Sequence, residues 1–129
     1  MKTILVTQAR TSSTRLPGKV LKEIKGKALL KYHLDRLAQI RNIDKIIVAT
    51  TSGSQDDVLA KHVEEWGFEV YRGSENDVLD RFYQSVKNYS SDWIVRVTSD
   101  CPLIDPQLID EVISFVVNSG CDYGSNILI

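Results

Sequence analysis

The chain has 129 residues, 43% of them hydrophobic and 26% charged, which fits one ordinary globular domain that buries about two-thirds of its unfolded surface. Intrinsic disorder, collagen and coiled coil are excluded on composition, and no apolar run approaches the roughly 20 residues that span a bilayer, so no membrane partner is expected. A net charge of −1 speaks against a nucleic-acid binder, while only two cysteines, Cys101 and Cys121, and a Met1–Gln8 start without a signal cleavage site point to the cytoplasm.

In chain order, Ile4–Thr7 is a first apolar run of strand length. It opens onto a basic stretch: residues 10–27 hold Arg10, Arg15, Lys19, Lys22, Lys25 and Lys27 against Glu23 alone, so this segment is +5 and the remainder −6. A solvated charge cluster and a seat for a small anionic ligand both fit that pattern. Leu30, Leu34, Leu37 and Ile40 then recur with helical spacing, with His33 on the same face. Lys45–Thr50 is a second strand. A second helix begins near Ser54, carries Val58, Leu59, His62, Val63 and Trp66, and is stopped by Gly67. Phe68–Tyr71 is a short third strand. Val78, Leu79, Phe82, Tyr83, Val86 and Tyr89 make a third helical stripe. Trp93–Thr98 is a fourth strand, which places Arg96 in a buried position that requires a partner. Asp105–Pro106 then starts a fourth helix, with an aspartate as N-cap and proline in the first turn, and Leu108, Ile109, Val112, Ile113, Val116 and Val117 form its stripe.

Strand and helix in alternation, with Ile/Val-rich strands that are mostly continuous rather than alternating, predict an α/β layered fold on a mainly parallel sheet with right-handed crossovers. Ligands on such sheets bind at the carboxyl ends of strands, which directs attention to the residues after Gln8, Thr50, Tyr71 and Thr98.

The first of these edges is the richest. Gln8-Ala9-Arg10-Thr11-Ser12-Ser13-Thr14-Arg15-Leu16-Pro17-Gly18-Lys19 lacks both G-x-G-x-x-G and the P-loop pattern, since Val20 follows Lys19. It nevertheless offers three cations (Arg10, Arg15, Lys19), hydroxyl donors at Ser12, Ser13 and Thr14, and a Pro17-Gly18 turn that holds Lys19 in place. Such a set suits a triphosphate and the charge that develops on departing pyrophosphate. At the fourth edge, Asp100 is either a turn aspartate ahead of Pro102 or a carboxylate suited to a magnesium ion (Mg2+), which takes one or two carboxylates beside phosphate oxygens. There is no His/Cys cluster for zinc, and Cys101 has no histidine partner for a thiol mechanism. Arg81 stands four residues after Asp77, so a helical ion pair and a cleft-facing role both fit.

The motif Gln8-Ala9-Arg10-x-x-Ser13-x-Arg15-Leu16-Pro17-Gly18-Lys19, followed by Gly26-Lys27, resembles the opening of the cytidylyltransferases that activate acidic sugars, such as the acylneuraminate and 3-deoxy-manno-octulosonate enzymes. Ile47-Val48-Ala49-Thr50-Thr51, Arg72-Gly73-Ser74-Glu75-x-Asp77-Val78-Leu79-Asp80-Arg81-Phe82-Tyr83, Ile94-Val95-Arg96-Val97-Thr98-Ser99-Asp100-Cys101-Pro102-Leu103-Ile104-Asp105-Pro106 and Asp122-Tyr123-x-Ser125-Asn126 resemble its spore coat polysaccharide biosynthesis protein F branch, in order along the chain.

This resemblance implies a three-layer Rossmann-like nucleotide-diphospho-sugar transferase fold. It also implies transfer of a cytidylyl group from CTP to an acidic sugar of the nonulosonic type, with release of pyrophosphate, in surface polysaccharide biosynthesis. Arg15, Lys19 and Asp100 take catalytic roles in that scheme, with Asp100 on Mg2+. Gln8, Ala9, Arg10, Ser13, Arg15, Lys19, Arg81 and Thr98 line the nucleotide, Gln8 and the Ala9 backbone at a base edge. Thr50, Thr51 and Ser52 either approach the nucleotide or form a polar turn. Two alternatives stand beside this reading: a non-catalytic nucleotide-binding module of the same fold, and transfer of another nucleotide such as uridylyl. The resembling enzymes are longer, and the apolar Asn126-Ile127-Leu128-Ile129 ending reads as an element cut short. The expectation is therefore one nucleotide-binding domain over residues 1–129, with the acceptor half and a homodimer interface belonging to a full-length form.

Overall fold

The computed structural model describes residues 2–11, 21–98, 104–120 and 122–124. Four parallel strands form its sheet: β1 (Thr3–Gln8), β4 (Lys45–Thr51), β5 (Glu69–Gly73) and β6 (Trp93–Thr98), in the order β5-β4-β1-β6. A two-stranded antiparallel hairpin, β2 (Glu23–Ile24) and β3 (Lys27–Ala28), precedes α1 (Leu29–Leu37). Then come α2 (Asp57–Glu65), entered through a 3-10 turn at Ser54–Asp56, α3 (Val78–Val86) and α4 (Pro106–Ser119).

The strand order explains the layers. From β1 to β4 to β5 the chain steps one way across the sheet, and right-handed crossovers put α1 and α2 on the same face. Leu30, Leu34 and Leu37 of α1 and Leu59 and Val63 of α2 pack there with Leu5 and Val48, joined by Ile113 of α4. From β5 the chain doubles back past β4 and β1 to reach β6, and the same handedness sends α3 across the opposite face. That smaller core holds Ile4, Val6, Ile47, Ala49 and Val86, with Tyr71, Phe82 and Tyr89 against it. The direction of winding reverses between β1 and β6, and the crevice of an open α/β sheet lies at such a reversal, outside the strands' carboxyl ends. The register sets Gln8 beside Thr98 at that point.

The predicted α/β fold and all four predicted strands are present, and the helix signals worked as capping chemistry requires. Asp105 caps α4 by accepting from the Gln107 N–H, with Pro106 in the first turn. Gly67, at φ +90°, ends α2: its N–H donates to the Glu64 carbonyl and that of Phe68 to the Val63 carbonyl, a Schellman closure that needs the left-handed residue glycine tolerates.

Three expectations fail. β6 alternates half-buried and exposed residues rather than being covered on both faces: Val95 and Val97 meet the larger core, while Ile94, Arg96 and Thr98 are exposed. Arg96 is therefore not a buried arginine needing an ionic partner; it lies over the Phe82 ring, 5.9 Å from its centroid. The third helical stripe is also split. Val86 is buried and Phe82 and Tyr89 face the smaller core, but Val78, Leu79 and Tyr83 are exposed.

Candidate nucleotide site

The site grows from the end of β1. Gln8 is the last strand residue on the face that α3 covers, and Ala9, which is buried, donates its N–H to the Ala49 carbonyl at 3.0 Å. The backbone thus stays pinned to β4 for one residue beyond the strand before it turns out as exposed Arg10.

Arg81 comes to the same place from α3. It is 2% exposed, and the helical ion pair with Asp77 does not form. Asp77 instead caps α3, accepting from the Asp80 N–H at 2.9 Å. Arg81 points inward: Nε donates to Gln8 Oε1 at 3.0 Å and Nη1 to the Ser74 carbonyl at 2.7 Å. Burial and the positive charge of Arg10 both depress the Arg81 pKa, and the Asp56 carboxylate opposes them. The guanidinium remains charged, since its ordinary value is so high. Because the Arg81 N–H takes the amide oxygen, the orientation of Gln8 is set, and Nε2 is buried with no partner among the described residues. A buried donor with no acceptor is costly, and a ligand carbonyl or ring nitrogen would satisfy it. Thr98 stands beside Gln8 in register, exposed at the edge of β6.

Gln8, Ala9, Arg10, Arg81 and Thr98 are thus brought to one edge. Ser13, Arg15, Lys19 and Asp100 lie outside the described residues. Among the described residues no group of three His, Cys, Asp or Glu side chains is arranged to hold a metal; Asp100, the candidate ligand for Mg2+, is not among them.

Other parts of the basic segment and its neighbours have structural duties. Lys27 pairs with Asp35, which also binds Lys31 at 2.6 Å. Burial alone would raise the Asp35 pKa, but the two lysines bring it below its ordinary value. Thr51 does not face a ligand: it is buried and its hydroxyl donates to Asp56. Thr50 is fully buried, with no partner for Oγ1 among the described residues. His33 is buried on α1 with Nε2 3.1 Å from the Thr7 hydroxyl, and His62, half-buried, stacks on Trp66.

Sequence reasoning missed Arg72 and Asp56. Arg72 braces the turn after β4, donating from Nε to the Thr51 carbonyl at 2.9 Å and from Nη2 to the Gly53 carbonyl at 2.8 Å and Asp57 at 2.7 Å. Its place at the carboxyl end of β5 was the available signal. For Asp56 the partner that ties it to β1, Thr11, is 45 positions away, so the sequence offered no local signal of that contact.

Residues 4–128 match the family model described as cytidylyltransferase. The chain is 39% identical to the spore coat polysaccharide biosynthesis protein SpsF of Bacillus subtilis over 124 residues, 93% of this chain and 52% of that protein. It is 35% identical to a 3-deoxy-manno-octulosonate cytidylyltransferase of Elusimicrobium minutum over 116 residues, 88% of this chain and 45% of that one. A cytidylyltransferase structure from Leptospira borgpetersenii superposes with a TM-score of 0.86 at 36% identity, covering 92% of this chain and 50% of the other. The chain spans about half the length of these relatives. No helix among the described residues is long and apolar enough to cross a membrane. With a family match over almost its whole length, the chain belongs to the cytidylyltransferase family.

Proposed function

We propose that this chain is the nucleotide-handling part of an enzyme that moves a cytidylyl group from CTP to an acidic sugar. The observation that carries the reading is the convergence of Gln8, Ala9, Arg10, Arg81 and Thr98 at the β1/β6 reversal, with a buried Gln8 N–H donor that no described residue satisfies. Cytosine presents a ring nitrogen and a carbonyl oxygen that would accept from Gln8 Nε2. Arg10 places a positive charge beside the edge, and Arg15 and Lys19, from the sequence motif, would extend that charge along a triphosphate. In the reaction a sugar hydroxyl or carboxyl oxygen attacks the α-phosphorus, the bond to the bridging α–β oxygen breaks, and pyrophosphate leaves with that electron pair. No covalent intermediate with the protein is required, so positioning and charge stabilisation supply the rate. Mg2+, held by Asp100 when bound, would neutralise phosphate charge. The nonulosonic class of the sugar, a role in surface polysaccharide biosynthesis and a homodimeric full-length form are parts of this proposal that rest on family likeness.

Calorimetry with CTP, UTP, ATP and GTP tests the first half. CTP is expected to bind at least tenfold more tightly than the others, and equal affinity for all four would overturn the base assignment. Pyrophosphate release with CTP, Mg2+ and a panel of acidic sugars tests the second half. Release with at least one sugar is expected; CTP binding with no release from any sugar would favour the non-catalytic module instead.

A further inference from the structure

The turn after β4 holds a carboxylate that the site described above leaves unused. Asp56 is 0% exposed. It stands at the N-terminus of α2 yet makes no side-chain capping bond to that helix. Its donors come from other elements. Oδ1 accepts from the Thr11 N–H at 2.7 Å and lies 2.8 Å from the Thr11 hydroxyl, and Oδ2 accepts from the Thr51 hydroxyl. The Thr11 hydroxyl is also 2.8 Å from the Gln55 carbonyl, so its single proton is shared. Burial pushes the Asp56 pKa up. The Thr11 amide, the two hydroxyls and the Arg72 charge pull it further down, below its ordinary value, so the carboxylate is ionised at neutral pH and its oxygens are engaged.

Thr11 is the residue through which the chain leaves β1 for residues 12–20, which contain Ser13, Arg15 and Lys19. The stretch just before it is fixed at three points: Gln8 by Arg81, Ala9 by the Ala49 carbonyl and Thr11 by Asp56. Arg10 lies between the last two anchors. We infer that Asp56 is a positioning residue for nucleotide binding, tying Thr11 to the β4–α2 turn so that Arg10 is held between two fixed points. With the side chain fully buried and both oxygens engaged, its action on a ligand runs through Thr11 rather than by direct contact. The inference rests on the CTP reading for its ligand, but not for its geometry.

The test uses Asp56→Ala, Asp56→Asn and Thr51→Val, with CTP affinity by calorimetry and the Thr11 amide followed by nitrogen–proton NMR. Asp56→Ala is expected to weaken CTP at least tenfold. Asp56→Asn should weaken it less, because an amide oxygen still accepts the Thr11 N–H. Thr51→Val removes a bond to the same carboxylate without touching the loop and should stay within twofold. In both Asp56 variants the Thr11 amide proton should move upfield, more so in Asp56→Ala. Unchanged CTP affinity in folded Asp56→Ala, or an equal loss in Thr51→Val, would overturn the inference. Should Asp56→Ala fail to fold, Asp56→Asn decides on the same comparison, with affinity matching the unaltered protein counting against. If the unaltered protein binds no CTP, the functional reading fails by itself; an unmoved Thr11 amide in Asp56→Asn would separately overturn the anchor.

Discussion

Arg81 shows how a buried cation acts through its partners. Its guanidinium fixes the Gln8 amide and holds the Ser74 carbonyl, so truncation would leave two acceptors stranded in a buried place. Arg81→Met is expected to destabilise the fold by about 2–4 kcal/mol, read from urea unfolding, and to weaken CTP binding beyond what the stability loss explains. Asp56 makes a prediction in pH. Its folded pKa lies below the unfolded value near 3.8, so its contribution is fully present above that value and is lost as pH falls through the lower, folded one. As pH falls below about 4 the unaltered protein should therefore lose more stability than Asp56→Asn; parallel curves would show the carboxylate to be indifferent to folding. At this scale the sequence was readable where chemistry is local. Gln8, Ala9 and Arg10 follow an apolar strand and so had to stand at a sheet edge. Arg81 was ambiguous because helical spacing to Asp77 is equally compatible with a pair and with a cap. Asp56 was unreadable because Thr11 is 45 positions away. Arg96 was misread because an apolar run says nothing about whether both faces of a strand are covered.

Elements were legible in proportion to their length and their punctuation. The α2 stop rests on Gly67 at φ +90° with two closing hydrogen bonds. Gly67→Ala should lower stability by about 1 kcal/mol, measured by thermal or chemical unfolding, with little effect on nucleotide affinity since the residue is remote from the β1/β6 edge. The β2–β3 hairpin escaped notice because two residues per strand are too few to show alternation. Its turn is nonetheless written in the chain: Lys25 and Gly26 have φ of 55° and 77°, the doubly left-handed turn that a two-residue hairpin prefers. The stripe of α3 was visible as periodic but not as divided. Hydrophobic spacing locates a helix face, whereas the extent of its cover depends on where the neighbouring strands stop.

For the molecule as a whole, one topological fact organises everything else. Because β5 connects back to β6 rather than onward, β1 occupies the interior with a neighbour on each side, and its carboxyl end becomes the crevice. Alternation of strand and helix in the sequence implied the class of fold, but strand order was not in it; that order is decided by which edge the last strand finds. The same topology leaves β6 paired to β1 alone among the described strands, with Ile94 44% exposed on its uncovered side. Among the described residues that edge has no strand partner, and an open edge is a template on which further strands can add. The consequence is colloidal: this chain should associate with itself as its concentration rises, edge to edge. Ile94→Lys should suppress that association while altering stability by no more than about 0.5 kcal/mol. Light scattering against concentration would check it, and equal scattering from the two proteins would place the contact elsewhere.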